Sequence, residues 1–169
     1  MSEIEITGYV PGAIGRITEL HGTYYQRHWD LGLYFEAKVA TELAAFLTHF
    51  VPERDGVWLA RMDETIIGGI FIDGSAAQST DAESAGARLR WFILDEQYQG
   101  IGLGNRLMQE AISFCQRKGY RRVYLTTFAG LERARHLYEK FGFRLCGVED
   151  GSHLTGKASL TEQVLELLL

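Results

Sequence analysis

The sequence predicts an α/β chain: a mixed, mostly antiparallel sheet of about seven strands with helices on both faces. Three observations carry this expectation. Segments of strand and helix character follow one another in the order strand, helix, helix, three strands, helix, strand, helix, two strands. The central run of strand 89–94, helix 103–118 and strand 123–127 has the form of a crossover unit, and 89–94 is apolar at nearly every position, as in a strand covered on both sides. The flanks read as antiparallel, with a hairpin at 57–73 and a last pair of strands on either side of a polar loop.

Taken in order, residues 2–8 alternate Glu3, Ile4, Glu5 and Ile6, a short strand with one wet face. Pro11 suits a first helical turn. Ile14, Ile17, Leu20 and Tyr24 then recur at helical spacing, giving a helix over 11–26 whose late part Gly22 weakens. After the break at Asp30-Leu31-Gly32, the stripe Phe35, Val39, Leu43, Phe46, Leu47 and Phe50 makes a second helix over 33–49. Strands at 57–61 and 65–73 flank a tight turn at Met62-Asp63-Glu64. Residues 74–86, rich in Gly, Ala and Ser, read as a loop. Within strand 89–94, Arg90 needs a partner or an exit to water. Helix 103–118 carries Leu103, Leu107, Met108, Ala111, Ile112 and Cys115 on one face and is capped by Gly119. Strand 123–127, a helix over 131–141 ended by Gly142, and strands 143–148 and 163–169 complete the order, with 149–159 a polar loop.

At 169 residues the chain is expected to form one domain and to bury enough surface to fold without metal or disulfide. The net charge of -5 argues against a general nucleic-acid binder, because phosphate contacts need a basic patch. The cluster Arg117, Lys118, Arg121 and Arg122 reads as a solvated helix end, with no recognition helix beside it. The two cysteines, Cys115 and Cys146, form no Cys-x-x-Cys pair, and His136 and His153 lack partners at ligand spacing, so no metal is expected. No stretch is long enough to span a membrane, and the first residues lack the basic and apolar regions of a signal peptide, so the cytoplasm is the expected compartment.

The chemistry concentrates where strand 89–94 gives way to helix 103–118. Gly100, Gly102 and Gly104 stand in this junction. The first N–H groups of a helix have no internal acceptor and carry partial positive charge, which suits a phosphate or pyrophosphate. Glycine lets an anion approach such a backbone. The dinucleotide fingerprint Gly-x-Gly-x-x-Gly fails here, ending on Asn105 or Leu107 according to its starting glycine. The Gly-Lys-Ser/Thr ending of the nucleoside-triphosphate loop is absent too.

The segment Gln99-Gly100-Ile101-Gly102-Leu103-Gly104, following Phe92-Ile93-Leu94, resembles the acyl-coenzyme A loop of the GCN5-related N-acetyltransferases, whose signature is Gln/Arg-x-x-Gly-x-Gly/Ala after an apolar strand. The second half of the resemblance is Leu137-Tyr138-Glu139-Lys140-Phe141-Gly142-Phe143, similar to the family's Leu-Tyr-Glu-Lys-x-Gly-Phe segment. The element order matches across almost the whole chain. The residues Gly15-Arg16-Ile17, Glu19-Leu20-His21-Gly22, Tyr24-Tyr25, Leu89-Arg90-Trp91-Phe92 and Phe128-Ala129-Gly130-Leu131 resemble most the acetyltransferases found alone or fused behind a winged-helix regulator of the multiple-antibiotic-resistance type. No winged-helix segment is visible in this sequence, so DNA binding is not carried over.

The resemblance implies acetyl-coenzyme A as acyl donor and a small-molecule or protein amine as acceptor, with direct attack in a ternary complex. It implies that backbone groups of Phe92, Ile93 and Leu94 pair with the pantetheine arm. Amides of Gln99, Gly100, Ile101, Gly102, Leu103, Gly104 and Asn105 would hold the pyrophosphate. Strand 123–127 would splay from 89–94, and Tyr138 would stand near the sulfur as general acid or hydrogen-bond donor. The family often has Asn where this chain has Leu131, and a Pro a few residues ahead of Gln99, a region where this chain has Glu96. The general base stays open among Glu36, Glu83, His21 and a water chain. Tyr24, Tyr25, Arg90 and Trp91, with Trp29, are candidates to shape the acceptor pocket or to belong to the core. Family habit makes a homodimer plausible. An acyl-coenzyme A binding or sensing domain without catalysis is the alternative reading.

Overall fold

Apolar side chains alternate between two faces along most strands of this chain, and the result is a sheet with a hydrophobic core on each side. The computed structural model describes residues 2–77 and 85–169. In chain order its elements are β1 (Ile4–Thr7), α1 (Ala13–Trp29), α2 (Gly32–Thr48), β2 (Gly56–Met62), β3 (Thr65–Asp73), β4 (Ala87–Leu94), α3 (Leu103–Arg117), β5 (Arg122–Phe128), α4 (Glu132–Lys140), β6 (Arg144–Asp150), α5 (Ser152–Thr155) and β7 (Thr161–Leu168). The seven strands form one sheet in the order β1-β2-β3-β4-β5-β7-β6. Every pairing is antiparallel except β4 with β5.

On one face α3 and α4 pack Leu107, Met108, Ala111 and Tyr138 against Ile67, Ile70, Ile72 and Leu89. On the other, α1 and α2 bring Ile17, Leu20, Leu43 and Phe46 against Leu59, Phe71 and Ile93. The expected mixed sheet with helices on both faces is the sheet observed.

Differences from expectation have local causes. Pro11 lies in the turn before α1 rather than in its first turn, and Gly12 takes the left-handed cap at φ 94°. Helix α1 runs on to Trp29, and Gly22 does not interrupt it. A Cβ there would sit 3.0 Å from Glu36 Oε1, so the glycine lets α2 lie close against α1. The loop at 149–159 contains the four-residue α5, and Glu96–Tyr98 forms one 3-10 turn capped by the Asp95 side chain. Both are too short for side-chain periodicity to reveal. Residues 78–84 of the expected 74–86 loop lie outside the described residues.

Two irregularities of β4 position the site. Its register against β3 steps from Gly69↔Ile93 to Phe71↔Arg90, so three residues of β4 span two of β3. The extra residue is a bulge at Trp91, whose φ of 46° is uncommon for a bulky side chain. The bulge resets the alternation. Leu89, Phe92 and Leu94 all contribute to the core under α3, whereas Trp91 and Ile93 pack toward α1 and α2. Arg90 stacks on the Trp91 ring at 4.0 Å. The second irregularity is the pairing with β5, which is confined to Ala87↔Val123 and Arg88↔Tyr124. Beyond those residues the two parallel strands diverge and a cleft opens between them.

Candidate active site

The cleft has two connected parts that share Tyr25, Phe92, Leu131 and Ala134. The first is a groove between the end of β4, the start of α3 and the outer side of α4. Phe92, Ile93, Leu94, Gln99, Gly100, Gly102, Gly104 and Asn105 line it from one side, and Arg133, Leu137 and Lys140 from the other. Gly100 and Gly102 have φ of 78° and 83°, and a Cβ at either would meet nothing within 4 Å. Their backbone is bare to solvent. No side chain caps α3, and the first helical N–H to find an acceptor in the loop is that of Arg106, which donates to the Gly102 carbonyl at 3.1 Å. The preceding N–H groups are therefore available to an anion. Arg133 and Lys140 supply positive charge at the rim, braced by hydrogen bonds to Gln99 Oε1 at 2.7 Å and Asn105 Oδ1 at 3.0 Å. This donor set fits a pyrophosphate. The exposed Ile101 side chain and the buried Leu103 side chain stay out of the groove, so these two residues offer backbone only.

The second part lies between β4, β5, α1 and α2. Its wall includes His21, Tyr25, Lys38, Glu42, Arg88, Arg90, Trp91, Thr126, Tyr138 and Glu162. Tyr138 is buried beside Phe92 and Phe143, with ring centroids 6.2 and 5.9 Å away. Burial pushes its phenol well above the usual range. No described residue hydrogen-bonds its hydroxyl. Tyr25 stands half-buried between the two parts, its phenol pushed up by desolvation, while Tyr24 stacks edge-on against it at 4.9 Å and lines the groove. Trp29, also on the groove, packs edge-to-face on Phe128.

Arg90 finds the partners its sequence position demanded. It donates to Glu42 Oε2 at 2.6 Å and reaches Asp73 at 3.5 Å. Lys38 donates to the other Glu42 oxygen at 2.6 Å. Although burial works in the opposite direction, these two cations hold the Glu42 carboxyl below its ordinary value. Glu42 is thus an anchored carboxylate and a poor proton acceptor.

Of the sequence candidates for a base, Glu36 is exposed and lies off the cleft against Gly22 of α1. It sits one residue from the α2 face that carries Phe35, Lys38, Val39 and Glu42. Glu83 falls outside the described residues. His21 does line the cleft, with Nδ1 2.8 Å from the Ile17 carbonyl. Burial lowers its pKa from the ordinary 6.5 to about 4. It is therefore neutral at pH 7, with Nδ1–H donating to the carbonyl. The unfolded chain takes up the proton first, so stability rises with pH across this window. His21's contribution is full above pH 6.5 and is lost as pH falls through 4, about 3 kcal/mol in all. Urea unfolding of the wild type should thus weaken more between pH 7 and pH 4.5 than that of His21→Phe. Parallel curves for the two proteins would show that the imidazole is not held neutral.

Sequence reasoning missed Glu162, Arg88 and Lys38. Glu162, the second residue of β7, lies opposite Phe128 and is buried, and its side chain makes no ion pair or hydrogen bond among the described residues. Burial, then the neighbouring Glu149, pushes its carboxyl above the ordinary range against the opposing pull of His153, Arg88 and Lys38. Nothing in the local sequence marks it, because it becomes special only when β7 joins β5. Arg88 carried a signal: it stands two residues from Arg90 in a strand otherwise apolar, which places both on one face. Among the described residues no cluster of His, Cys, Asp or Glu has the makings of a metal site.

The Acetyltransferase (GNAT) family model matches residues 15–143. N-acetylaspartate synthetase of Danio rerio is 29% identical over 146 residues, 86% of this chain and 48% of that protein. Spermine/spermidine N(1)-acetyltransferase of Bacillus subtilis is 37% identical over 60 residues, 35% of this chain and 40% of that one. The chain spans about half the length or less of these curated relatives. In fold it is similar to an N-acetyltransferase from Staphylococcus aureus Mu50, with a TM-score of 0.75 at 15% identity over 99% of both chains. It is similar too to yncA from Salmonella typhimurium, solved with its cofactor acetyl-CoA, with a TM-score of 0.73 at 15% identity over 99% of this chain and 95% of that one.

Proposed function

The chain belongs to the GNAT family of acetyltransferases, and from that premise we propose that it moves the acetyl group of acetyl-coenzyme A to a primary amine by direct attack in a ternary complex. The observation that carries this reading is the cleft itself: two parallel strands part beside an uncapped helix start, and the buried Tyr138 lines the gap. The groove residues fit the donor, with the α3 amides on its pyrophosphate and the unpaired edge of β4 along its pantetheine arm. Acetyl-coenzyme A supplies an activated acyl group as a thioester.

The chain's own groups divide the remaining work. Glu162 takes the proton that the incoming ammonium must lose, and its raised affinity for a proton suits that task. A backbone N–H on the open edge of β4 near the Trp91 bulge donates to the carbonyl oxygen as negative charge develops there. Tyr138 donates a hydrogen bond to the departing sulfur. Its phenol is harder to ionise than a free one, so hydrogen bonding describes it better than outright proton loss. Cys115, buried with its thiol pushed up to about 12, does not serve as a nucleophile.

The test is thiol release from acetyl-coenzyme A across amines and peptides, with donor binding followed separately by calorimetry. Transfer to at least one amine supports the reading. Donor binding with no transfer would leave a binding or sensing domain, and no binding at all would sink both. Tyr138→Phe should lower kcat by roughly 10- to 100-fold, the worth of one hydrogen bond to a charged group, with little change in donor affinity. Unchanged turnover at all pH values would remove Tyr138 from the chemistry. The kinship with acetyltransferases that stand alone or behind winged-helix regulators, a cytoplasmic location and a homodimer belong to the same proposal. No described helix is long and apolar enough to cross a membrane.

A further inference from the structure

We propose that the acceptor is an amino carboxylate, an amine that also carries a carboxylate group, and that the Arg88 guanidinium is its anchor. This deepens the transferase reading and rests on it. The cleft wall holds three cations, Lys38, Arg88 and Arg90, and two carboxylates, Glu42 and Glu162. Lys38 and Arg90 are both committed to Glu42, and Arg90 reaches Asp73 as well. Arg88 is different. Its side chain is half-buried, it donates to Thr126 Oγ1 at 3.1 Å, and it makes no ion pair among the described residues. A guanidinium withdrawn from water needs an anion, and its planar fork matches a carboxylate with two parallel hydrogen bonds.

Across the same cleft, Glu162 is the carboxylate without an ion pair among the described residues. One unpaired cation and one unpaired carboxylate complement a zwitterion, with Glu162 toward the ammonium and Arg88 toward the carboxylate. The arrangement also decides between the two acceptor chemistries named in the relatives, aspartate and polyamine. A polyamine presents several cations and no anion. It would meet a single unpaired carboxylate and be repelled by Arg88.

Matched acceptors test this on the wild-type protein: alanine against ethylamine, phenylalanine against phenethylamine, and spermidine alone. The carboxylate-bearing member of each pair should have a kcat/KM at least roughly tenfold higher. Arg88→Gln should lower that value by roughly 10- to 100-fold, chiefly through KM, and flatten the preference, while Arg88→Lys restores part of it. If the bare amines or spermidine are acetylated as well as the amino acids, the proposal is overturned and the transferase reading stands. If no acceptor is acetylated although acetyl-coenzyme A binds, the transferase reading falls and this proposal falls with it.

Discussion

Glu162→Gln is expected to lower kcat by about 10²- to 10⁴-fold while acetyl-coenzyme A affinity stays within about twofold of wild type. The substitution keeps the shape of the side chain and removes its ability to take a proton. Because Glu162 sits on β7 and the donor groove is built from β4, α3 and α4, donor binding reports on folding independently of chemistry. The pH profile gives the sharper signature. Burial and Glu149 raise the carboxyl above its ordinary range, so the wild-type acid limb should lie higher than a free glutamate would place it. Activity depends on the ionised form and rises with pH through that limb. In the glutamine variant the limb should vanish. A retained limb with a modest loss of kcat would assign proton removal to another group or to water.

Gly68→Ala should destabilise the fold by about 1–3 kcal/mol or more and weaken acetyl-coenzyme A binding with it. Gly68 pairs with Leu94 across β3 and β4. An added Cβ would lie 2.6 Å from the Ile93 carbonyl oxygen and 2.5 Å from Leu94 Cδ2. Only the leucine methyl can swing aside. The carbonyl belongs to the strand that walls the groove, so relief of the clash must shift the backbone that receives the donor. Urea unfolding measures the first effect and calorimetric titration the second. A variant with wild-type stability and unchanged affinity would mean that β3 yields instead of β4.

Much of the architecture was written in the sequence because its causes are local. Strand β3 spans the run of isoleucines with one residue to either side, and α3 starts at the residue after Gly102, as the glycine spacing implied. The donor half of the site followed from the same junction, since backbone amides at a helix start need no particular side chain to be useful. The acceptor half was hidden because it is assembled by pairing. Glu162 enters the cleft only through the register of β7 on β5, and Arg88 borders the cleft because β4 and β5 part directly after its pair with Tyr124. The bulge at Trp91 is equally invisible, as tryptophan gives no hint of a positive φ. Glu36 was one of the open candidates for the base, but it stands a step around α2 from the face that Lys38 and Glu42 share.

The parting of β4 from β5 has a consequence for how this chain behaves among other chains. Unpaired strand edges are adhesive and invite self-association. The outer edge at β6 is blunted by a register shift between Leu145 and Gly147 and by the charges of Arg144, Glu149 and Asp150. The inner edge of β4 carries the Trp91 bulge and the charges of Arg88 and Arg90. It is also recessed, with α3 and α4 on one side of the sheet and α1 and α2 on the other. An edge that would be a liability on the outside of the sheet is kept here inside a cleft, away from other chains.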